Sequence, residues 1–99
     1  MSRIKKGAKL SCIDDVCSVL CDIHEPDQMR RFLEEILTPA DREDLSLRWQ
    51  LMQMLTEGIP QRQIAETLGV SLCKITRGAK ILKQNNSVSK QHLTVRSTR

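Results

Sequence analysis

Aromatic residues are nearly absent from this 99-residue chain, which has one phenylalanine, one tryptophan and no tyrosine. Strands favour aromatic and β-branched side chains, so this composition, rich in Leu, Met, Glu, Gln and Arg, favours helices. The chain also lacks an apolar run close to the roughly 20 residues of a membrane span. Its basic start is not followed by the apolar segment of a secretory signal. The sequence therefore predicts one small, soluble, all-α domain located in the cytoplasm.

Cysteines occur without the spacing of a disulfide or metal framework. Cys12, Cys17, Cys21 and Cys73 form no CxxC pair, and without a secretion signal we expect no disulfides. Cys17, Cys21 and His24 share one helical face and could recruit a metal, but a structural zinc site needs four ligands. Free cysteine behaves as a small hydrophobic residue and is among the most buried types. We therefore expect the cysteines to pack in the core, with no metal and no cofactor.

Catalytic constellations are also missing from the sequence. The chain has no nucleophile elbow, no phosphate-binding loop and no pair of carboxylates set in a plausible pocket. Its two histidines, His24 and His92, lie in unrelated contexts. The sequence therefore predicts a protein that is not an enzyme.

Charge is divided unevenly along the chain, whose net charge is +4. Residues 1–9 carry four basic residues and no acidic one, residues 10–57 have a net charge of −7, and residues 58–99 have a net charge of +7. A small protein with an acidic middle and a basic end is polarised towards a polyanion such as nucleic acid. Because solvated basic faces are common, charge alone leaves this interpretation open.

Three helices are predicted before residue 58. The first has a narrow apolar stripe on residues 10–23 opposite three aspartates, which is typical of a helix packed against a partner. Pro26 begins the second helix at its first position. The run Thr38-Pro39-Ala40-Asp41 begins the third, which ends at Gly58. The residues expected on the inner faces are Met29, Phe32, Leu33, Ile36 and Leu37 in the second helix and Leu45, Trp49, Met52 and Leu55 in the third.

Residues 60–83 carry the pattern of two short helices joined by a tight turn. Pro60 is expected at the first position of the first of these helices. Gly69 stands where the turn needs a positive φ, and Ser71 is a favourable N-cap for the second helix. Small Ala65 allows two steeply crossing helices to approach, so the pattern is that of a helix-turn-helix. The other residues expected to face inward are Ile64, Leu68, Val70, Ile75, Ala79 and Leu82.

Two short amphipathic helices can also be ordinary core, but these lie in the basic part of the chain. We therefore predict that they bind double-stranded DNA, with the second helix in the major groove. Arg62 and Lys74 are candidates for base edges, because Arg and Lys bind guanine O6 and N7. Lys80 and Lys83 are expected to meet phosphates. The full predicted set is Gln61, Arg62, Leu72, Cys73, Lys74, Thr76, Lys80 and Lys83.

The run Leu37-Thr-Pro-Ala-Asp-Arg-Glu43, followed by Arg48, Gln61-Arg62 and Ile75-Thr-Arg-Gly78, resembles the bacterial tryptophan repressor family. The shared pattern spans residues 37–83, and its LTP and ITRG elements are specific at this spacing. The resemblance implies an all-helical, intertwined homodimer. It also implies that tryptophan binds between the dimer core and the helix-turn-helix and orients the DNA-reading helices.

With this resemblance the chain divides into four segments. Residues 1–9 are a basic, flexible arm, and residues 10–83 are the repressor-like helical domain. Within that domain, residues 10–57 are the expected dimerisation core and residues 60–83 the helix-turn-helix. Residues 84–99 are a polar tail with scattered apolar residues, which we expect to be frayed or disordered.

The resemblance also implies a set of ligand-binding residues. Arg48 and Arg77 would sandwich the indole ring, and Thr38 and Arg77 would hold the carboxylate, since guanidinium planes stack on aromatic faces and match carboxylates. The alternatives that need no ligand are that the arginines pair with acidic surface groups and that Thr38 is only an N-cap. The carbonyls of Glu35 and Leu37 would receive the ammonium group. Met52 would form the floor of the site, and Gly78 would leave room for the ligand. The full implied set is Glu35, Leu37, Thr38, Arg48, Met52, Arg77, Gly78 and Ile81.

Several features depart from the family pattern. Ile81 stands where the family has a serine near the ammonium group, and it cannot accept a hydrogen bond. Lys74 occupies a position that holds a threonine in the best-known members. The segment between Gly58 and Gln61 is one residue shorter, and the polar tail replaces the last helix of the dimer. These departures bear on the identity of the ligand and on the tightness of the dimer.

The sequence thus predicts a tryptophan-responsive repressor that binds operator DNA with L-tryptophan as corepressor. One alternative is a helix-turn-helix regulator with another ligand or none, which adding amino acids one by one would distinguish. The other is a helical interaction or adaptor module that does not bind DNA and dimerises through residues 10–57. Salt-dependent retention on duplex DNA would separate that module from a repressor.

Overall fold

The computed structural model describes residues 12–97, and within that range the chain forms six α-helices and no strand. The all-α prediction is therefore confirmed. The basic arm expected at residues 1–9 lies outside the described residues. The helices are α1 (Cys12–Asp22), α2 (Pro26–Ile36), α3 (Pro39–Thr56), α4 (Gln61–Leu68), α5 (Leu72–Leu82) and α6 (Val88–Ser97).

Backbone contacts divide the chain into two compact units, with the boundary between Thr38 and Pro39. The first unit contains α1 and α2. The second contains α3 to α6, in which α3 packs against α4, α5 and α6. The long helix α3 is thus part of the same compact unit as the helix-turn-helix. Within the described residues, no helix has both the length and the hydropathy to cross a bilayer.

Prolines and glycines set the helix boundaries largely as predicted. Pro26 and Pro39 are the first residues of α2 and α3, because a fixed φ suits the first helical turn, where no amide needs a partner. Gly69 ends α4 with φ 67°, and its amide donates a hydrogen bond to the Ala65 carbonyl at 2.9 Å. The prediction for Pro60 was wrong by one position. Its ψ of 142° is extended, so it is the N-cap of α4 rather than its first residue.

The core of the second unit lies where α3, α4, α5 and α6 meet. Ile64 and Ile75 are fully buried, as their inward-facing positions predicted. Leu45 was predicted to be buried and is instead 50% exposed. It lies on the same side of α3 as Met52 but two turns closer to the helix start, whereas the residues that α3 buries lie in its second half. The buried hydrophobic residues are Leu51, Met52, Ile64, Ile75 and Leu93.

The first unit buries no residue of either of its helices. On the predicted inner face of α2, Ile36 is exposed, and Met29, Phe32, Leu33 and Leu37 are only half-buried. Two helices of 11 residues are too small to enclose each other's apolar faces. The apolar stripe of this unit therefore remains open.

All four cysteines are exposed, so the prediction that they pack in the core was wrong. Three of them lie on α1, which buries nothing, and Cys73 lies near the start of α5. Among the described residues, no group of three or more His, Cys, Asp or Glu side chains is arranged to hold a metal ion.

The expected disorder of the tail was also wrong, because residues 88–97 form α6. Ser87 is buried directly before this helix, and its Oγ accepts a hydrogen bond from the Lys90 amide at 3.0 Å, which caps the helix start. Leu93 is 2% exposed and joins the core against α3 and α5. One buried anchor and one serine cap hold a segment whose composition is otherwise polar.

Candidate functional site

The helix-turn-helix consists of α4, a turn at residues 69–71 and α5. Gly69 adopts the left-handed conformation that the turn was predicted to need. Ser71 is the N-cap of α5, also as predicted, and its Oγ accepts a hydrogen bond from the Lys74 amide at 3.4 Å. Ile64 and Ile75 lie buried in the one core that α4 and α5 share with α3. The two short helices are thereby held as one rigid piece.

The eight predicted DNA-contacting residues all lie on this piece and are all exposed. Four of them form a row with helical spacing on the outward side of α5, and we call Leu72, Thr76, Lys80 and Lys83 the outward row. Lys83 is the C-cap of the helix. Leu72 is 53% exposed, so a large apolar side chain is available at the start of the helix. Gln61 and Arg62 begin α4, and Cys73 is exposed beside Leu72.

The charge of the helix-turn-helix suits a polyanion. Residues 61–83 carry five basic side chains and one acidic side chain. Because the basic groups are exposed, their field extends into solvent and attracts phosphates over roughly a Debye length of ~8 Å at physiological salt. The surface is therefore suited to the phosphate groups of a polyanion.

A cleft lies between α3 and α5. It contains about 380 Å³ of empty space, part of which is open to solvent. Leu51, Met52 and Gly78 are buried and form an apolar floor, whereas the cationic residues at its rim are exposed. The residues that line the cleft are Arg48, Leu51, Met52, Lys74, Arg77, Gly78 and Ile81.

Gly78 allows the close approach of α5 to α3. A Cβ atom at this position would lie 2.6 Å from Leu51 Cδ1 and 3.4 Å from Met52 Cγ. Any larger residue would push the Leu51 side chain aside, and Leu51 itself lines the cleft. The absence of a side chain at Gly78 thus lets α5 pack closely on α3 and leaves Leu51 in place under the cleft.

Five of the eight residues in the implied ligand set come together at this cleft, namely Arg48, Met52, Arg77, Gly78 and Ile81. The other three lie in the first unit. Glu35 is near the end of α2 and lines a separate groove with Arg31 and Phe32, while Leu37 and Thr38 follow α2. Sequence reasoning did not assign Leu51 and Lys74 to the cleft. The spacing of Arg48, Leu51 and Met52, at i, i+3 and i+4 on one helix face, was the available signal.

The cleft can hold a flat apolar group that carries an anion. Guanidinium planes stack on aromatic rings, and Arg48 and Arg77 both stand at the rim. Three cationic side chains and no acidic side chain line the cleft. An anionic group on the ligand would therefore meet only attractive charges there.

Comparisons with known proteins agree with the family resemblance found in the sequence. A profile of the family described as "Trp repressor protein" matches residues 11–96. A protein of Xylella fastidiosa strain M23 named "Trp operon repressor homolog" is 44% identical over 69 residues, covering 69% of this chain and 75% of that protein. A protein of Aliivibrio salmonicida with the same name is 33% identical over 88 residues, covering 88% of this chain and 82% of that protein.

A third similar protein, from Chlamydia trachomatis serovar L2, also carries the name "Trp operon repressor homolog". It is 37% identical over 71 residues, covering 67% of this chain and 76% of that protein. No solved structure matches the chain significantly. The matched range begins before α1 and ends within α6, so it includes every helix of the fold at least in part.

Proposed function

The chain belongs to the Trp repressor family, and on this basis we propose that it is a cytoplasmic, DNA-binding transcriptional repressor with L-tryptophan as its corepressor. The observation that carries the proposal is that one helix, α5, borders both proposed surfaces. Its outward row of exposed residues includes those proposed to bind DNA, and its opposite side lines the cleft against α3. A ligand in the cleft therefore acts directly on the helix that enters the major groove.

In the proposed ligand complex, Arg48 and Arg77 sandwich the indole ring above the floor formed by Met52. Arg77 also holds the carboxylate. The family resemblance further assigns Thr38 to the carboxylate and the carbonyls of Glu35 and Leu37 to the ammonium group. Gly78 and Ile81 complete the set along α5. An indole held between an arginine of α3 and an arginine of α5 fixes the angle of α5 to α3. If that angle is the one DNA requires, ligand and DNA each raise the other's affinity by the same factor.

In the proposed DNA complex, α5 lies in the major groove with its first residues towards the bases. Arg62 and Lys74 are the proposed contacts to base edges, with Gln61, Leu72, Cys73 and Thr76 beside them. Lys80 and Lys83, further along the helix, meet phosphates. This division separates residues that discriminate sequences from residues that add affinity for any duplex.

Duplex-DNA titration with and without free tryptophan tests the proposal. We expect salt-dependent binding that tryptophan strengthens.

Arg62→Ala should cost about 1–3 kcal/mol of binding free energy on the preferred sequence and relax the preference at particular base pairs. Lys83→Ala should instead weaken binding to all sequences alike and flatten the salt dependence. An unchanged sequence preference in Arg62→Ala would remove Arg62 from base readout. No retention on duplex DNA at low salt would favour the adaptor alternative, and tight binding that tryptophan leaves unchanged would favour a regulator with another ligand or none.

The proposed functional form is a homodimer, because two reading helices must reach half-sites about 34–36 Å apart. The first unit supports this proposal, since neither α1 nor α2 buries a residue and Ile13, Val19 and Ile36 are exposed. Apolar surface of this kind, on two amphipathic helices, fits the face of a second copy.

We therefore expect the melting temperature to fall by about 5–10 °C on hundredfold dilution, since unfolding of an obligate dimer depends on protein concentration. Val19→Asp should lower both the melting temperature and the molar mass in light scattering. Ser18→Asp adds the same charge at the neighbouring, also exposed position of α1 and should change neither. A monomer at micromolar concentration whose melting temperature is independent of dilution would contradict the dimer.

A further inference from the structure

Lys74 lies on the side of α5 that faces the cleft. Lys74, Arg77, Gly78 and Ile81 follow each other at i, i+3, i+4 and i+7, which places them on one helix face, and all four line the cleft. Lys80 belongs to the outward row. The basic side chains of α5 thus divide between two faces of the helix.

The start of α5 is held so that Lys74 stays at the cleft. Its backbone amide donates to Ser71 Oγ, and Ile75, the next residue, is fully buried. The Lys74 side chain itself is exposed, as are those of Arg48 and Arg77. Its ammonium group can therefore reach over the mouth of the cleft without a desolvation cost that burial would impose.

Three cations surround this cleft, and none of its lining residues is acidic. Arg48 belongs to α3, whereas Lys74 and Arg77 belong to α5. Like charges on the two helices repel each other across the cleft. An anion in the cleft reverses the sign of that interaction, because each cation is then attracted to the same group.

We propose that Lys74 is a ligand-binding residue of the cleft, where its ammonium group pairs with the anionic group of the bound ligand and thereby adds a further attachment of α5 to that ligand. This inference rests on the proposed function, in which the ligand is tryptophan, and it assigns Lys74 to ligand selection. The outward row, with Lys80 and Lys83, retains the contacts to phosphates. Selectivity for a carboxylate is thus supplied by Lys74 in addition to Arg77.

The test is isothermal titration calorimetry of the full-length chain with L-tryptophan and with L-tryptophanamide, which lacks the carboxylate. Lys74→Gln should weaken tryptophan binding by about two- to fivefold, which is within the range expected for an exposed ion pair. It should not weaken the binding of tryptophanamide, which offers no anionic group to Lys74. Lys74→Arg retains the positive charge and should retain most of the affinity for tryptophan.

Lys80→Gln is the matched control, because it removes the same charge from the other face of α5. It should weaken DNA binding measured without tryptophan and leave tryptophan affinity unchanged, whereas Lys74→Gln should lower the affinity for tryptophan. Equal tryptophan affinity in wild type and Lys74→Gln would overturn the inference while leaving the proposed function intact. A parallel loss of tryptophan and tryptophanamide binding in Lys74→Gln would also overturn it, because the effect would then not depend on the carboxylate. Failure of the wild-type chain to bind tryptophan would overturn both this inference and tryptophan as the corepressor.

Discussion

Leu93→Ala is expected to lower the free energy of unfolding by about 2–5 kcal/mol, the range measured for truncation of buried leucines. Leu93 is 2% exposed and belongs to the same core cluster as Leu51 and Ile75, so its removal leaves a cavity that neighbouring helices fill only in part. Urea unfolding at one fixed protein concentration measures this loss. The result would establish α6 as part of the cooperative fold.

Val88→Ala is the control for that measurement. Val88 is the first residue of the same helix and is 66% exposed, so its truncation should change stability by no more than about 0.5 kcal/mol. If Leu93→Ala were as mild as Val88→Ala, α6 would not be docked in solution, and the frayed tail predicted from composition would be the better description.

Arg77→Ala is expected to abolish the tryptophan-dependent gain in DNA affinity. For the wild-type chain we expect tryptophan to raise that affinity by about 5- to 150-fold, the usual range of coupling between two sites. Arg77 lines the cleft on α5 and is proposed both to stack on the indole ring and to bind the carboxylate. Without it the ligand loses its attachment to α5, so a filled cleft no longer fixes the angle of that helix.

Fluorescence anisotropy of labelled operator-like DNA, with and without saturating tryptophan at one salt concentration, measures this coupling. Arg77→Lys keeps the charge but loses the planar group that stacks on a ring, and it should retain only part of the gain. DNA affinity without tryptophan should change little in either variant, since Arg77 faces α3 rather than the outward row of α5. Full tryptophan dependence in Arg77→Ala would place the ligand somewhere other than the cleft.

Local signals in the sequence were sufficient to predict the helix-turn-helix and the starts of two earlier helices. The starts of α2 and α3 at Pro26 and Pro39, the left-handed Gly69 and the N-cap at Ser71 all depend on the conformation of one residue and its near neighbours. Ile64 and Ile75 could be placed inside because a short helix with one apolar stripe has only one face to bury. Such features follow from φ preferences and helical periodicity, which need no knowledge of the rest of the chain.

Burial was predicted less well where it depended on how far a neighbouring helix extends. Leu45 and Met52 lie on one side of α3, and the pattern alone could not show that only the second half of that helix is covered. The prediction that the cysteines of α1 are buried was wrong for a related reason. A residue type that is usually buried still needs a second surface packed over it. In α6, Leu93 is one of three apolar residues in a polar stretch, and composition averaged over the segment concealed its role in the core.

The residues of the cleft show the same division between local pattern and three-dimensional arrangement. The sequence was sufficient to single out Arg48, Arg77 and Gly78, because these residues stand in motifs whose spacing along the chain matches the family pattern. The packing of α5 on α3 through Gly78 was needed to bring Leu51 beneath the cleft and Lys74 to its rim. A sequence records which residues share a helix face, but the direction in which that face points is set by the helices that pack against it.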